Sequence, residues 1–424
     1  DPNAPEVYGE RTNEDVVMDS VLNDLNFAIA NIESNTKDKT LWSKEMALAM
    51  KSDICLYWGT YCKYRTQADN GKAADLTLAN KFFQECVNAS EQLMNSGKFS
   101  LYPGAVVNGK TYTIYNSIDL SNNPEIIFFR NYEKDMVSHP ASLPDYTCGS
   151  TTQKGITKDA IDAFLFRDGN PKATTSLPKD DKAVLDANGN YSIAHFLANK
   201  DKRLSLLVDR ILAFKGHGWI RDEPSPDGPL PAEMTSSTGY TIYKFDNPQL
   251  NLHYRINTNT GYTDVPLYWY ATILLNFAEA KAELGTITQT DLDKSINLLQ
   301  ARAGLPNMTT TPAADPANHA GVSNLIWEIR RCRRCELMLD NNYRYWDLVR
   351  WHQLDKLDSN VYPDINLGAN VTNVADAVKD ANGYLKGTSA TRTFNAKYYH
   401  FPVPANEIDL YQKSGKVLTQ NPGW

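Results

Sequence analysis

Two arrangements in this chain combine residue types and spacing that could do chemistry. The first is the pair Cys332 and Cys335 in "RRCRRCELMLDNNYRYWDLVRW", residues 330–351. A Cys-x-x-Cys pair can ligate a metal or cycle as a disulfide. A structural zinc site needs four ligands, yet there is no second such pair, and the nearest histidine is His352, one of only 7. Thioredoxin-type chemistry would place the motif at a helix start beside a parallel sheet, which is not the pattern here. Neither a metal site nor a redox centre is expected, and no cofactor. The second arrangement is the carboxylate pair Glu279 and Glu336, each set in an apolar helical stripe. Two such acids could act as general acid and base of a glycoside hydrolase. The structural alternative pairs each with a buried arginine, because an unpaired buried charge is expensive. Arg344, Asp347 and Arg350 follow at three-residue spacing, so a structural ion-pair network of Glu279, Glu336, Arg344, Asp347 and Arg350 is the favoured reading.

Helices must position these groups. At 100° per residue from Leu325, the residues Ile329, Cys332, Glu336 and Leu339 share one face, with Cys335 at its edge. Arg330, Arg331, Arg333 and Arg334 fall on the flanks and the far side, which predicts a solvated basic face. "VPLYWYATILLNFAEAKAELG" reads as one helix, with Tyr268, Ala271, Leu275 and Ala282 flanking Glu279. Near the start, "TNEDVVMDSVLNDLNFAIANI" predicts a helix capped by Thr12 that buries Val17, Val21, Leu25, Ala28 and Ile32. Two further helical segments follow as a hairpin, the second stopping at Gly97. From Lys98 to Thr263 the chain is rich in Gly, Pro, Asn and Asp, too long for a structureless loop. The expected architecture is mainly α: a degenerate tetratricopeptide-type helical-repeat scaffold carrying an irregular, loop-rich inserted subdomain with short strands. Its divisions are scaffold 1–97, irregular ligand-binding subdomain 98–263, scaffold 264–356 and an irregular C-terminal tail 357–424 packed on the scaffold.

Composition narrows the function. A net charge of -7 over 424 residues argues against nucleic acid as a partner, since phosphate binding needs a basic field. No run of about 18 apolar residues marks a membrane span. "DANGNYSIAHFL" has Asp186, Asn188 and Asn190 at calcium-loop spacing, but Tyr191 and Leu197 stand where glycine and glutamate are required, so a turn is expected. The other cysteines include Cys55, Cys62 and Cys86 in helix-like segments, where small core residues are usual.

Several segments, in order, resemble one family: the SusD/RagB-like outer-membrane nutrient-binding lipoproteins of Bacteroidetes. "VLNDLNFAIANI" is similar to its aspartate–leucine helix, "SGKFSLYPG" to its "sGkYxL" turn and "NNPEIIFF" to its "NxEiIf" strand. "FRDGNP" with "NKDKRLSLLV" resembles "DG…nrDpRL", and "YWYATILLNFAEAKAELG" resembles "YRyAEvLLnyAEA". "RRCELMLDNNYRYWDLVRW" and "FPVPANEI…QNPGW" are similar to the two C-terminal motifs. Trp269 and Thr272 replace an Arg and a Glu common in the family, and Cys332 replaces a common Glu, which puts the usual ion pairing there in question. Family members carry a longer segment before the first of these motifs, so the chain is expected to begin inside the domain.

The resemblance implies a cell-surface protein that captures an oligosaccharide or polysaccharide and delivers it to a SusC-type TonB-dependent outer-membrane transporter, without breaking bonds. It also implies attachment to the outer membrane through an N-terminal lipid anchor that this chain does not contain. Sugars bind flat aromatic rings flanked by hydrogen-bonding side chains. Within the irregular subdomain such residues are Trp219 with Arg221 and Asp222 in "KGHGWIRDEP", and Tyr240 and Tyr243 in "TGYTIYKF"; packing within the subdomain is the alternative for each. Two other functions remain in view: a helical-repeat protein binding a peptide or protein, and a two-carboxylate hydrolase.

Overall fold

The protein is described by a computed structural model over residues 5–107, 110–140, 154–218, 223–230 and 234–424. Its helices include α1 (Glu14–Asn31), α2 (Lys44–Tyr64), α3 (Leu76–Asn95), α4 (Lys158–Ala163), α5 (Tyr270–Glu283), α6 (Ile296–Ala303), α7 (Asn324–Glu336), α8 (Tyr343–Arg350) and α9 (Ala405–Lys413). The strands form four two-stranded antiparallel sheets: β1 (Ala105–Val107) with β2 (Lys110–Tyr112), β3 (Ile126–Arg130) with β6 (Val265–Trp269), β4 (Val184–Leu185) with β5 (Tyr191–Ser192), and β7 (Leu367–Asn370) with β8 (Tyr384–Lys386). The molecule is thus mainly helical, with a loop-rich subdomain that holds short strands.

The hairpin of α2 and α3 is the frame on which the scaffold is built. Ser43 caps α2 by accepting from the Met46 amide (3.2 Å), and Asp75 caps α3 by accepting from the Leu78 amide (2.8 Å), each satisfying a donor the helix start leaves open. Gly59 lets the two helices touch: a Cβ there would sit 2.8 Å from the Phe83 ring and 3.0 Å from the Ala79 carbonyl. Helix α5 packs across both, and its Leu274, Leu275 and Ala278 join Leu48, Leu93 and Ile329 in the main core.

Three expectations shift, and the expected turn at Asp186 stands. The segment read as one helix from Val265 divides at Trp269: Val265–Trp269 pairs with β3 as a strand, and the helix begins only at Tyr270. Helix α1 is capped by Asn13, whose side chain accepts from the Asp15 amide, not by Thr12. Its inward face is Leu22 and Leu25 with Met18 and Ile29 packed beside them, whereas Val17 is 44% exposed. The Asp186 turn is a hairpin between β4 and β5, its carboxylate accepting from the amides of Asn188 and Asn190, both at 2.9 Å.

A second core belongs to the irregular subdomain: Ile161, Phe164, Phe166, Phe196, Leu204 and Ile242. The C-terminal region contributes to both bodies. Ala369, Val371 and Leu385 complete this second core, while Tyr399 packs against Leu348, Val349 and Leu354 at the end of the scaffold.

Candidate functional site

The seam between subdomain and scaffold holds a cavity of about 280 Å³. Residues far apart in the chain build it, Tyr115 and His139 among them. The short helix Leu252–Ile256 supplies Tyr254 and Arg255; the loop before it supplies Asp246; Thr263 and Asp264 lead into β6, which ends in Trp269; and the turn between α7 and α8 supplies Leu339, Asp340 and Asn341. That turn is unusual. Leu339, Asn341 and Asn342 all have positive φ (70°, 42° and 56°). Asn tolerates this conformation, but a leucine side chain crowds its own backbone there, so the wall of the cavity holds local strain.

Polar groups around the cavity are fixed. Arg255 grips Asp246 through Nε (3.0 Å) and Nη2 (2.8 Å), and its Nη1 donates to Ser225 (2.9 Å) and the Glu223 carbonyl (3.3 Å). Asp264 accepts from the amides of Leu120 and Tyr132 (2.9 Å each) and from Asn131 (3.2 Å), while burial pushes its carboxyl above the ordinary range. Lys244 joins Asp340 at 2.8 Å and lies 3.7 Å over the Tyr115 ring. Tyr254 and His139 line the cavity and are held from behind: the Tyr254 hydroxyl donates to Asp135 (2.9 Å), its ring meets Tyr262 at right angles at 5.0 Å, and His139 meets Tyr132 at 4.8 Å. Held carboxylates beside aromatic rings suit a ligand with hydroxyls and an apolar face.

The carboxylates singled out in the sequence lie elsewhere. Glu279, fully buried, accepts from Arg350 Nη1 (2.6 Å) and Nη2 (2.8 Å) and from the Trp351 indole (2.7 Å). Burial alone would raise its carboxyl; Arg350, with Arg333 and Arg330 behind it, holds it down at about 2. Asp347 is shared between Arg350 (2.9 Å) and Arg333 (3.0 Å). Glu279, Asp347 and Arg350 are therefore one cluster. Glu336 stands in another, accepting from Arg203 (3.0 Å) and Arg302, and it borders a cavity of about 410 Å³. Arg302 also donates to Glu125 (2.7 Å), so Glu336 is held by two arginines and stands in a different cluster from Glu279. Arg344 joins neither cluster.

The basic face is corrected outright. Arg330 and Arg333 are only 4% and 2% exposed, and Arg331 and Arg334 are largely enclosed, because α7 is covered by α5 and α8 on one side and by α4 on another. Cys332 and Cys335 are free and buried, their thiols pushed up to about 11 and about 12 by burial.

Of the aromatic candidates, Trp219, Arg221 and Asp222 lie outside the described residues. Glu223, the next described residue, receives the Arg255 bond named above. Tyr240 is 1% exposed within the subdomain core, where Phe164 and Phe214 occupy the same cluster. Tyr243 is half-buried and its hydroxyl reaches Glu223 at 3.5 Å. The residues that line the cavity went unread: Asp246, Tyr254, Arg255, Asp264 and Asp340 carry no motif, although "HYR" at 253–255 places an aromatic beside a cation in a polar loop.

The SusD family matches this sequence over residues 124–424, more than half of the chain. The chain belongs to the SusD family. Solved structures agree on the fold: a SusD-like protein of Bacteroides fragilis shares 22% identity at a TM-score of 0.65, covering 98% of this chain and 72% of its own. A SusD-like carbohydrate-binding protein of the same species shares 18% identity at a TM-score of 0.66, covering 96% and 72%. A SusD superfamily protein of Parabacteroides distasonis shares 17% at 0.54, covering 97% and 69%. A search of curated proteins gave no match. Membership carries the broad class, SusD-type nutrient capture in partnership with a SusC-type transporter, and members of this family bind without catalysing. Among the described residues no cluster of three or more His, Cys, Asp or Glu could hold a metal ion, and no helix is long and apolar enough to cross a membrane.

Proposed function

We propose that this SusD-family protein captures an oligosaccharide at the cell surface and passes it to a SusC-type TonB-dependent transporter. Its ligand is taken at the seam cavity and the loops beside it, with Trp219, Arg221, Asp222 and Tyr243 completing the site from the neighbouring stretch. A lipid anchor holds it at the outer membrane, and the helix pairs of the scaffold are degenerate tetratricopeptide-type repeats. The observation that carries this reading is the Tyr254 ring, lining the cavity beside the locked pair Arg255–Asp246. A rigid ring next to fixed hydrogen-bonding groups binds a sugar with little loss of side-chain entropy.

Affinity electrophoresis against a panel of neutral polysaccharides tests it. Retardation by at least one glycan is expected, weakened about tenfold or more by Tyr254→Ala or Trp219→Ala, the scale of losing an aromatic anchor. Release of reducing sugar from any of these glycans would overturn the binding reading in favour of hydrolysis. Retardation by no glycan, with capture of a peptide instead, would transfer the site to a peptide ligand.

A further inference from the structure

A separate cavity of about 250 Å³ lies on the other side of α7 from the main core, walled by α4, α8 and the turn Leu354–Leu357. Arg330, Arg331, Arg334, Arg344 and Lys356 all border it, a density of cations matched nowhere in the seam cavity. Their partners account for only part of this charge. Arg330 gives Nη2 to Glu283 (2.9 Å), but its Nε and Nη1 are buried with no hydrogen-bond acceptor, and its guanidinium rests on the rings of Tyr64 and Trp351. Arg331 pairs with Asp315 and with Glu328 (3.0 Å). Arg334 pairs with Asp159, and its Nε too is buried without a partner. Asp162, the other acid on the wall, is taken by Lys158 at 2.6 Å.

Arg344 and Lys356 are left over. Among the described residues neither side chain meets a carboxylate within ion-pair distance; Lys356 lies 4.7 Å over the Trp327 ring, and Arg344 donates no hydrogen bond. Burial, and then the repulsion of neighbouring cations, makes both harder to keep charged: Lys356 is pushed down to about 8, with Arg344 and Arg334 opposing it, and Arg344 is pushed down with Arg334 opposing it. Arg344 and Lys356 are half-buried, and Asp159 offsets their repulsion only in part, so cations partly withdrawn from water are left short of a partner, which is costly. Guanidinium groups with an ammonium beside them match the oxygen atoms of carboxylate, sulfate and phosphate.

We propose that this cavity is an oxoanion site, in which Arg334, Arg344 and Lys356 hold the carboxylate, sulfate or phosphate group of a small ligand. It is distinct from the seam cavity and stands independently of glycan capture there.

Isothermal titration of the chain at fixed ionic strength tests the site, with sodium sulfate, sodium glucuronate and uncharged glucose as probes. Saturable binding of sulfate or glucuronate is expected, weakened at least about tenfold by Arg344→Gln and by Lys356→Met, with glucose giving no signal that these variants alter. Binding of sulfate alone assigns the site to a free inorganic anion; binding of glucuronate assigns it to an acidic saccharide. The proposal is overturned if neither anion binds saturably, or if both variants bind as the parent does. Circular dichroism of each variant verifies folding, and Tyr254→Ala, remote from this cavity, leaves the anion titration unchanged.

Discussion

Arg333 and Arg334 are adjacent on the same helix and live in opposite electrostatic worlds. Arg333 faces α5 and α8, its Nε on both oxygens of Asp347 (3.0 Å) and its Nη1 on Asn276 (2.7 Å), in a cluster where each cation has an acid. Arg334 faces α4, pairs with one partly exposed aspartate while the other acid on that wall, Asp162, is taken by Lys158, and looks across at Arg344 and Lys356. Residue type and spacing along the helix are the same. What separates a cluster that holds the fold from one that waits for a counter-ion is whether the elements packed outside bring carboxylates.

The contrast can be broken most sharply at Arg350. Arg350→Met removes the partner of a fully buried carboxylate, and a loss of about 3–5 kcal/mol in urea-unfolding free energy is expected. The acid limb comes next. Glu279 titrates well below the ordinary carboxylate value of 4.5, so its contribution is present above that value and is lost as pH falls from there towards 2. Melting temperature should therefore drop across that window, and Glu279→Gln, already destabilised at neutral pH, should show a shallower drop. At the cationic cavity the expectation reverses: Arg344→Met removes no ion pair and relieves repulsion, so unfolding free energy should change by less than about 1 kcal/mol and can rise. A loss as large as that of Arg350→Met would mean the two regions are alike. Smallest is the exposed pair Lys81–Asp19, at 2.7 Å with both side chains 46% exposed; Lys81→Ala should cost under about 0.5 kcal/mol by the same denaturation.

Much of the scaffold was legible because its signals are local. The helical hairpin that became α2 and α3, its stop at Gly97 and the apolar stripe around Glu279 are written in neighbouring residues. The break at Trp269 was not, since a continuous apolar run such as "VPLYWYATILL" satisfies strand and helix equally, and it is pairing with Ile126 and Phe129 that decides. The burial of the arginines was missed for a related reason. A helical wheel assumes one covered face, but α7 is covered on several. The seam cavity was the least readable part: Asp246, Asp264 and Asp340 meet there from positions far apart, and nothing in any one stretch announces the others. The family motifs located the frame and said nothing of the cavities, because they encode the buried pairs at Glu279 and Asp347.

Leu339 offers a last consequence. A leucine at φ 70° is conformationally uphill, so Leu339→Gly is a substitution that would let the backbone relax, by about 1 kcal/mol. The same change would replace a bulky wall residue with the most pliant one in the chain. Hydrogen exchange at Asp340 and Asn341 would then speed up even as the protein resisted heat better. Such a position is where selection for endurance and selection for a well-shaped ligand cavity pull in opposite directions.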